Sequence, residues 1–178
     1  MNMGLGNLPS AIFKRKFRWL FFVDGIIGDG INVLPPSKAS RPTLSFKSQS
    51  FEHLNETISY PVKPEWKPIT LILFDTKCNM NPLWDKWIEP MYNPKLKNQN
   101  YKYPISNNAR PGRRKEDSFK KDATLKLYDG CGSVMETWNF EGIYPEDINF
   151  DELSMEEEGI VNITLSLKYD RAYIEYNK

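Results

Sequence analysis

The single histidine, His53, is the natural place to look for chemistry, because Ser-His-Asp and Cys-His hydrolases need an imidazole beside their nucleophile. It stands in a polar segment remote in sequence from both cysteines, and it reads as a loop or strand residue exposed in part. Cys78 and Cys131 have neither C-x-x-C nor Cys/His ligand spacing, which argues against a structural zinc site and a disulfide scaffold and fits folding in a reducing, cytosolic setting. Cys131 lies between two glycines and reads as a small turn residue rather than a reactive thiol. The acidic residues from Glu146 to Glu158 do not follow the D-x-[DN]-x-[DN]-G calcium loop, and Gly25-Ile-Ile-Gly-Asp-Gly30 is too short for a phosphate-cradling glycine motif. The expectation is a chain with no catalytic residues, no metal site and no cofactor.

Charge is segregated rather than abundant. There are 24 Lys+Arg against 23 Asp+Glu in 178 residues, a net charge of +1, which supports neither a globally basic nucleic-acid coat nor an acidic tail. Residues 93–122 nevertheless carry Lys95, Lys97, Lys102, Arg110, Arg113, Arg114, Lys115, Lys120 and Lys121, with Tyr101, Tyr103 and Phe119 interleaved. Residues 142–158 hold Glu146, Asp147, Asp151, Glu152, Glu156, Glu157 and Glu158 and no cation. Three readings of the basic stretch stand side by side: a nucleic-acid contact over 95–121, a solvated loop, or a surface that meets the acidic segment of a neighbouring copy.

The elements that must position these groups are set by periodicity. Residues 1–16, with Gly4, Gly6 and Pro9, read as an N-terminal arm, and 17–178 as one domain. The run from Phe17 to Val23 reads as a first strand covered on both faces; its apolar core is too short to span a bilayer, and no membrane anchor is expected. A turn at Gly25–Gly30 leads to the start of a second strand at Ile31–Leu34. Pro35, Pro36, Pro42, Pro61, Pro64 and Pro68 divide residues 31–68 into short extended pieces, with an edge strand where Ile58, Tyr60 and Val62 alternate. Ile69 to Phe74 is a buried strand. Asn81 with Pro82 offers a helix start, Leu83, Trp84, Trp87, Ile88 and Met91 repeat at helical spacing, and Pro90 ends the helix near Glu89. Ala123, Leu125 and Leu127 alternate before a turn at Asp129–Gly132, and Glu136, Trp138 and Phe140 return as a hairpin. Val161, Ile163, Leu165, Leu167 and Tyr169 then alternate with Asn162, Thr164, Ser166 and Lys168. The sum is a mainly β domain with one helix.

The C-terminal third resembles the tail tube proteins of contractile-tailed bacteriophages. The residues that carry the likeness are Ala123-Thr-Leu-Lys-Leu-Tyr-Asp-Gly130, Trp138-Asn-Phe-Glu-Gly-Ile-Tyr-Pro145, and Ile160-Val-Asn-Ile-Thr-Leu-Ser-Leu-Lys-Tyr-Asp170. The order of an aromatic first strand, a Pro-containing segment, a Trp-led strand at Trp66–Asp75 and a helix bearing Trp84 and Trp87 is similar too, across most of 17–170. The resemblance implies two packed antiparallel sheets with one helix at the side. It also implies sixfold rings stacked into a tube inside a contractile sheath, with sheath and baseplate proteins as partners and DNA as passing cargo in a virion tail. The basic loop and the arm before residue 17 depart from the family pattern, which keeps a tube-like baseplate initiator beside the tube protein as a reading. On this view Arg110, Arg113, Arg114 and Lys115 meet Glu156, Glu157 and Glu158 between subunits. Asn162, Thr164 and Ser166 face the bore, because hydroxyl and amide groups lack the charge that holds phosphate.

Overall fold

The computed structural model describes residues 14–27, 35–53, 56–92, 119–155 and 158–176. The expectations for residues 1–13, for a strand at 31–34, and for 93–118 of the basic loop lie outside the described residues. Nine strands are seen among the described residues: β1 (Trp19–Val23), β2 (Lys38–Ala39), β3 (Thr43–His53), β4 (Glu56–Lys67), β5 (Ile69–Phe74), β6 (Lys121–Tyr128), β7 (Val134–Phe150), β8 (Asn162–Lys168) and β9 (Arg171–Tyr176). Seven form an antiparallel system ordered β1-β6-β7-β8-β5-β2, with β9 also on β7, while β3 and β4 pair only with each other.

Two sheets arise because β7 belongs to both. Its first half pairs with β6 and β9, and its second half, from Tyr144 onward, pairs with β8. The change of sheet falls at Gly142, whose φ of 67° is a conformation that side chains resist, and whose missing Cβ leaves room for the Asp170 carboxylate. Asp170 is held there by its own N–H to the Glu141 carbonyl (3.0 Å) and by Lys120 Nζ at 2.7 Å. The Gly-Ile-Tyr-Pro segment is therefore the corner at which the chain passes from one layer to the other.

Between the layers lies one core. Ile69, Leu71 and Leu73 of β5 face it with Ile163, Leu165 and Leu167 of β8, and Phe21, Val23, Ala123, Leu125 and Phe140 complete it from the other sheet. The alternation that marked β6 and β8 is thus the alternation of core and solvent, and β5, read as a buried strand, buries Ile69, Leu71 and Leu73 while its other face is exposed or half-buried. On β1 only Phe21 and Val23 are buried; Leu20 is exposed and Phe22 is half-buried beneath the Lys126 ammonium, so the second apolar face of this edge strand is only partly covered by the described residues.

The helix differs from expectation at both ends. It begins at Lys77, because Thr76 caps it by accepting the Asn79 N–H (3.2 Å), and buried Asn79 donates to the Phe74 carbonyl (2.9 Å). Pro82 therefore sits inside α1 (Lys77–Leu83). The chain then widens into a π-turn over Trp84–Ile88 and continues as α2 (Glu89–Met91). In the π-turn the Glu89 N–H donates to the Trp84 carbonyl, and the helical path carries through Pro90. Leu83 and Trp87, one turn apart, reach the core, and Trp87 Nε1 donates to the Phe119 carbonyl at 2.9 Å.

Candidate assembly interface

The prolines do not cut 43–67 into pieces. β3 and β4 form one long hairpin that is exposed along nearly its whole length, because β4 has no other strand beside it among the described residues and half its amides lie outside any ladder. Proline's missing donor costs nothing at such positions, and the register shift at Lys47/Ser48 absorbs the remaining irregularity beside Pro61. The absence of proline from Thr43 to His53 was the signal for a long β3.

Bare apolar groups run along this hairpin. Phe46 is 61% exposed, Phe51 50% and Val62 55%, with Ile58 and Tyr60 close behind. Phe51 and Tyr60 meet edge-on with ring centroids 6.5 Å apart, and Ile58 lies opposite Phe51. The base is fixed to the body: Trp66 packs 5.8 Å from the Tyr169 ring, which itself lies 5.2 Å from Phe140, and the Tyr169 hydroxyl donates to the Lys67 carbonyl at 3.0 Å.

Burial pushes the Tyr169 phenol up to about 12, above the ordinary tyrosine value of 10.0. In the unfolded chain the phenol ionises first as pH rises, so the stability it contributes is complete below about pH 10 and is lost between about pH 10 and 12. Urea unfolding at pH 9 and pH 12 is expected to show a loss of about 2–3 kcal/mol from this group, a loss that Tyr169→Phe abolishes. An equal pH dependence in Tyr169→Phe would show that other groups carry it.

On β8, Asn162, Thr164 and Ser166 share one half-buried face, opposite Ile163, Leu165 and Leu167. Their cross-strand neighbours on that face are Thr70, Ile72 and Phe74 of β5 and Asp147 and Asn149 of β7. Lys168, at the end of the row, is bound to Glu146 at 2.9 Å, a hydrogen bond that raises the lysine above its ordinary range. Glu158 is exposed shortly before β8. Arg110, Arg113, Arg114, Lys115, Glu156 and Glu157 lie outside the described residues.

One ionic cluster is new relative to the sequence reading. Glu136, on the core-facing side of β7 with Trp138 and Phe140, is fully buried, and its carboxylate is bound by Lys14, Arg41 and the Trp138 indole N–H. A buried carboxylate persists only with such partners. The signal was a Glu at an inward position of an otherwise apolar strand. Its cations come from 122 and 95 residues away, one of them at the end of the proposed arm.

The candidate residues for chemistry do not converge. His53 is the last residue of β3, at the hairpin tip; Cys78 is in α1 and Cys131 in the β6–β7 turn, both exposed and free. That turn is organised by Asp129 Oδ1, which accepts the N–H groups of Cys131 and Ser133, both at 2.8 Å, and these bonds lower the carboxyl below its usual range.

The fold described here, two sheets joined by a shared bent strand with one helix at the side, matches that of tube proteins of contractile injection systems. A chain of the sheath–tube complex of an extracellular contractile injection system, PVC, superposes with a TM-score of 0.63 at 17% identity over 92% of each chain. A chain of the PVC sheath/tube terminator gives 0.65 at 18% identity over 94% of this chain and 99% of that one. Hcp1 from Salmonella typhimurium gives 0.51 at 11% identity over 89% and 85%. No protein-family model and no curated protein sequence matches the chain.

Proposed function

We propose that this chain is a structural subunit that self-assembles into stacked hexameric rings, forming the inner tube of a contractile tail or injection apparatus. The observation that carries the reading is the β3–β4 hairpin. A two-stranded hairpin standing alone in water is marginal, and one with bare Phe46, Phe51, Ile58 and Val62 is stabilised if a neighbouring copy covers it. The outer edges of β1 and β9 bound the sheet that β6 and β7 complete, and they suit side-by-side joining of copies around a ring. The face of Asn162, Thr164 and Ser166 suits the bore, since Lys168 at its end is neutralised by Glu146. Sheath and baseplate proteins are the partners this implies outside and below the tube, and DNA or another cargo passes within it. Assembly takes place in the host cytoplasm before the particle is released.

A second reading, a single tube-like ring that starts or ends the tube at a baseplate or cap, is favoured by the likeness to the terminator chain. Negative-stain microscopy of the purified protein separates the two. Extended hollow tubes support the first reading and isolated rings the second, while a monomer at every concentration tested removes both.

A further inference from the structure

An open cavity of about 440 Å³ lies between the segment before β1, the β2 edge and β6. Its floor is apolar, made by Trp19, Leu125 and Leu127, and its rim carries Lys14, Arg15, Lys16, Lys38 and Arg41. Glu136, beneath Lys14 and Arg41, is the one carboxylate bound to this group among the described residues, so the rim keeps a large positive excess. Burial, with the neighbouring Arg41 charge, lowers Lys14 from its ordinary range.

The complementary feature stands elsewhere on the same molecule. After β7 the chain runs Asp151-Glu152-Leu153-Ser154-Met155, with Leu153 84% exposed and Met155 wholly exposed. Asp151 ties this loop back to β8 through its N–H to the Asn162 carbonyl (3.3 Å). Within the β7-β8-β5-β2 sheet, the loop leaves β7 at one outer edge and the cavity adjoins β2 at the other. Strands about 4.8 Å apart make that separation about 14 Å across the ladder.

We infer that the cavity is a docking site for the Asp151–Met155 loop of a second copy, with Leu153 and Met155 against Trp19, Leu125 and Leu127 and the loop carboxylates against the basic rim. A site on one edge and its occupant on the opposite edge, engaged without reciprocation, make a head-to-tail contact that closes into a ring or continues as a filament. The inference rests on the self-assembly reading and gives the acidic segment a receptor among the described residues.

Two full-length variants test it. One, Leu153→Asp with Met155→Asp, loses the occupant; the other, Arg15→Glu with Lys38→Glu, loses the rim. All four positions are at the surface, and thermal midpoints are expected to match wild type. In sedimentation velocity each variant alone should lose assembly, whereas a 1:1 mixture retains one intact contact and should form heterodimers. Assembly of either variant like wild type, or a mixture that stays monomeric, overturns the contact and leaves the tube reading standing. Should wild type itself be monomeric, the tube reading falls and a labelled peptide of residues 149–160 decides the contact. Saturable anisotropy with the full chain, weakened roughly tenfold or more by Leu153→Asp, supports it; no binding, or equal binding of both peptides, overturns it.

Discussion

Replacing Phe46, Phe51, Ile58 and Val62 together by serine should give a folded subunit that no longer assembles. Among the described residues these side chains lie on a hairpin that is joined to the body at its base, and each is about half exposed or more, so their loss removes little that stabilises the monomer. Covering the exposed half of a Phe, Ile or Val contributes roughly 1 kcal/mol, and four such residues about 4 kcal/mol per contact, close to a thousandfold in association. The expected result is an unchanged circular dichroism spectrum and melting midpoint, with a shift from assembled material to monomer in sedimentation and loss of tubes by negative stain. Normal tubes from this variant would show that the hairpin is not between subunits.

The largest expected effect on the subunit itself is that of Trp87→Ala. Trp87 is the bulkiest of the fully buried side chains, set between the helix and the core, and its indole N–H supplies the Phe119 carbonyl just before β6 begins. Truncation leaves a cavity and an unpaired acceptor, at a cost of about 3–5 kcal/mol. Against a total stability of about 5–15 kcal/mol this is a fall in melting midpoint on the order of 10 °C. Trp84→Ala, at a half-buried position on the adjoining helix face, should cost clearly less. Equal losses for the two in urea unfolding would contradict this packing of the helix.

Much of this domain was legible in residue order because the signal is local. Each of Leu125, Leu127, Ile163, Leu165 and Leu167 is on the buried side of its strand, and Leu83 and Trp87 on the buried side of the helix, as the spacing required. Where two local signals competed, the surroundings decided. Asn81-Pro82 looks like a helix start, but Thr76 already caps the chain and Asn79 is locked to the end of β5, so the helix had begun several residues earlier. Pro61 and Pro64 look like breaks, but β4 has no strand on its outer side among the described residues and the register shift beside Pro61 lets the ladder with β3 continue past them.

By itself the sequence determined β5, β6, the return into β7, β8, most of their core-facing residues, the existence of the helix and the opposed ionic segments, since alternation and composition are properties of neighbouring residues; the long β3 and the last strand β9 were not read from it. Tertiary structure alone decided that β7 bends at Gly142 into a second sheet, that β3 and β4 pair only with each other and are anchored at Trp66 and Lys67, and that Lys14 and Arg41 converge on Glu136. Those outcomes join groups about a hundred residues apart, or depend on which strand is missing beside another, and no local pattern encodes a partner that only packing brings within reach.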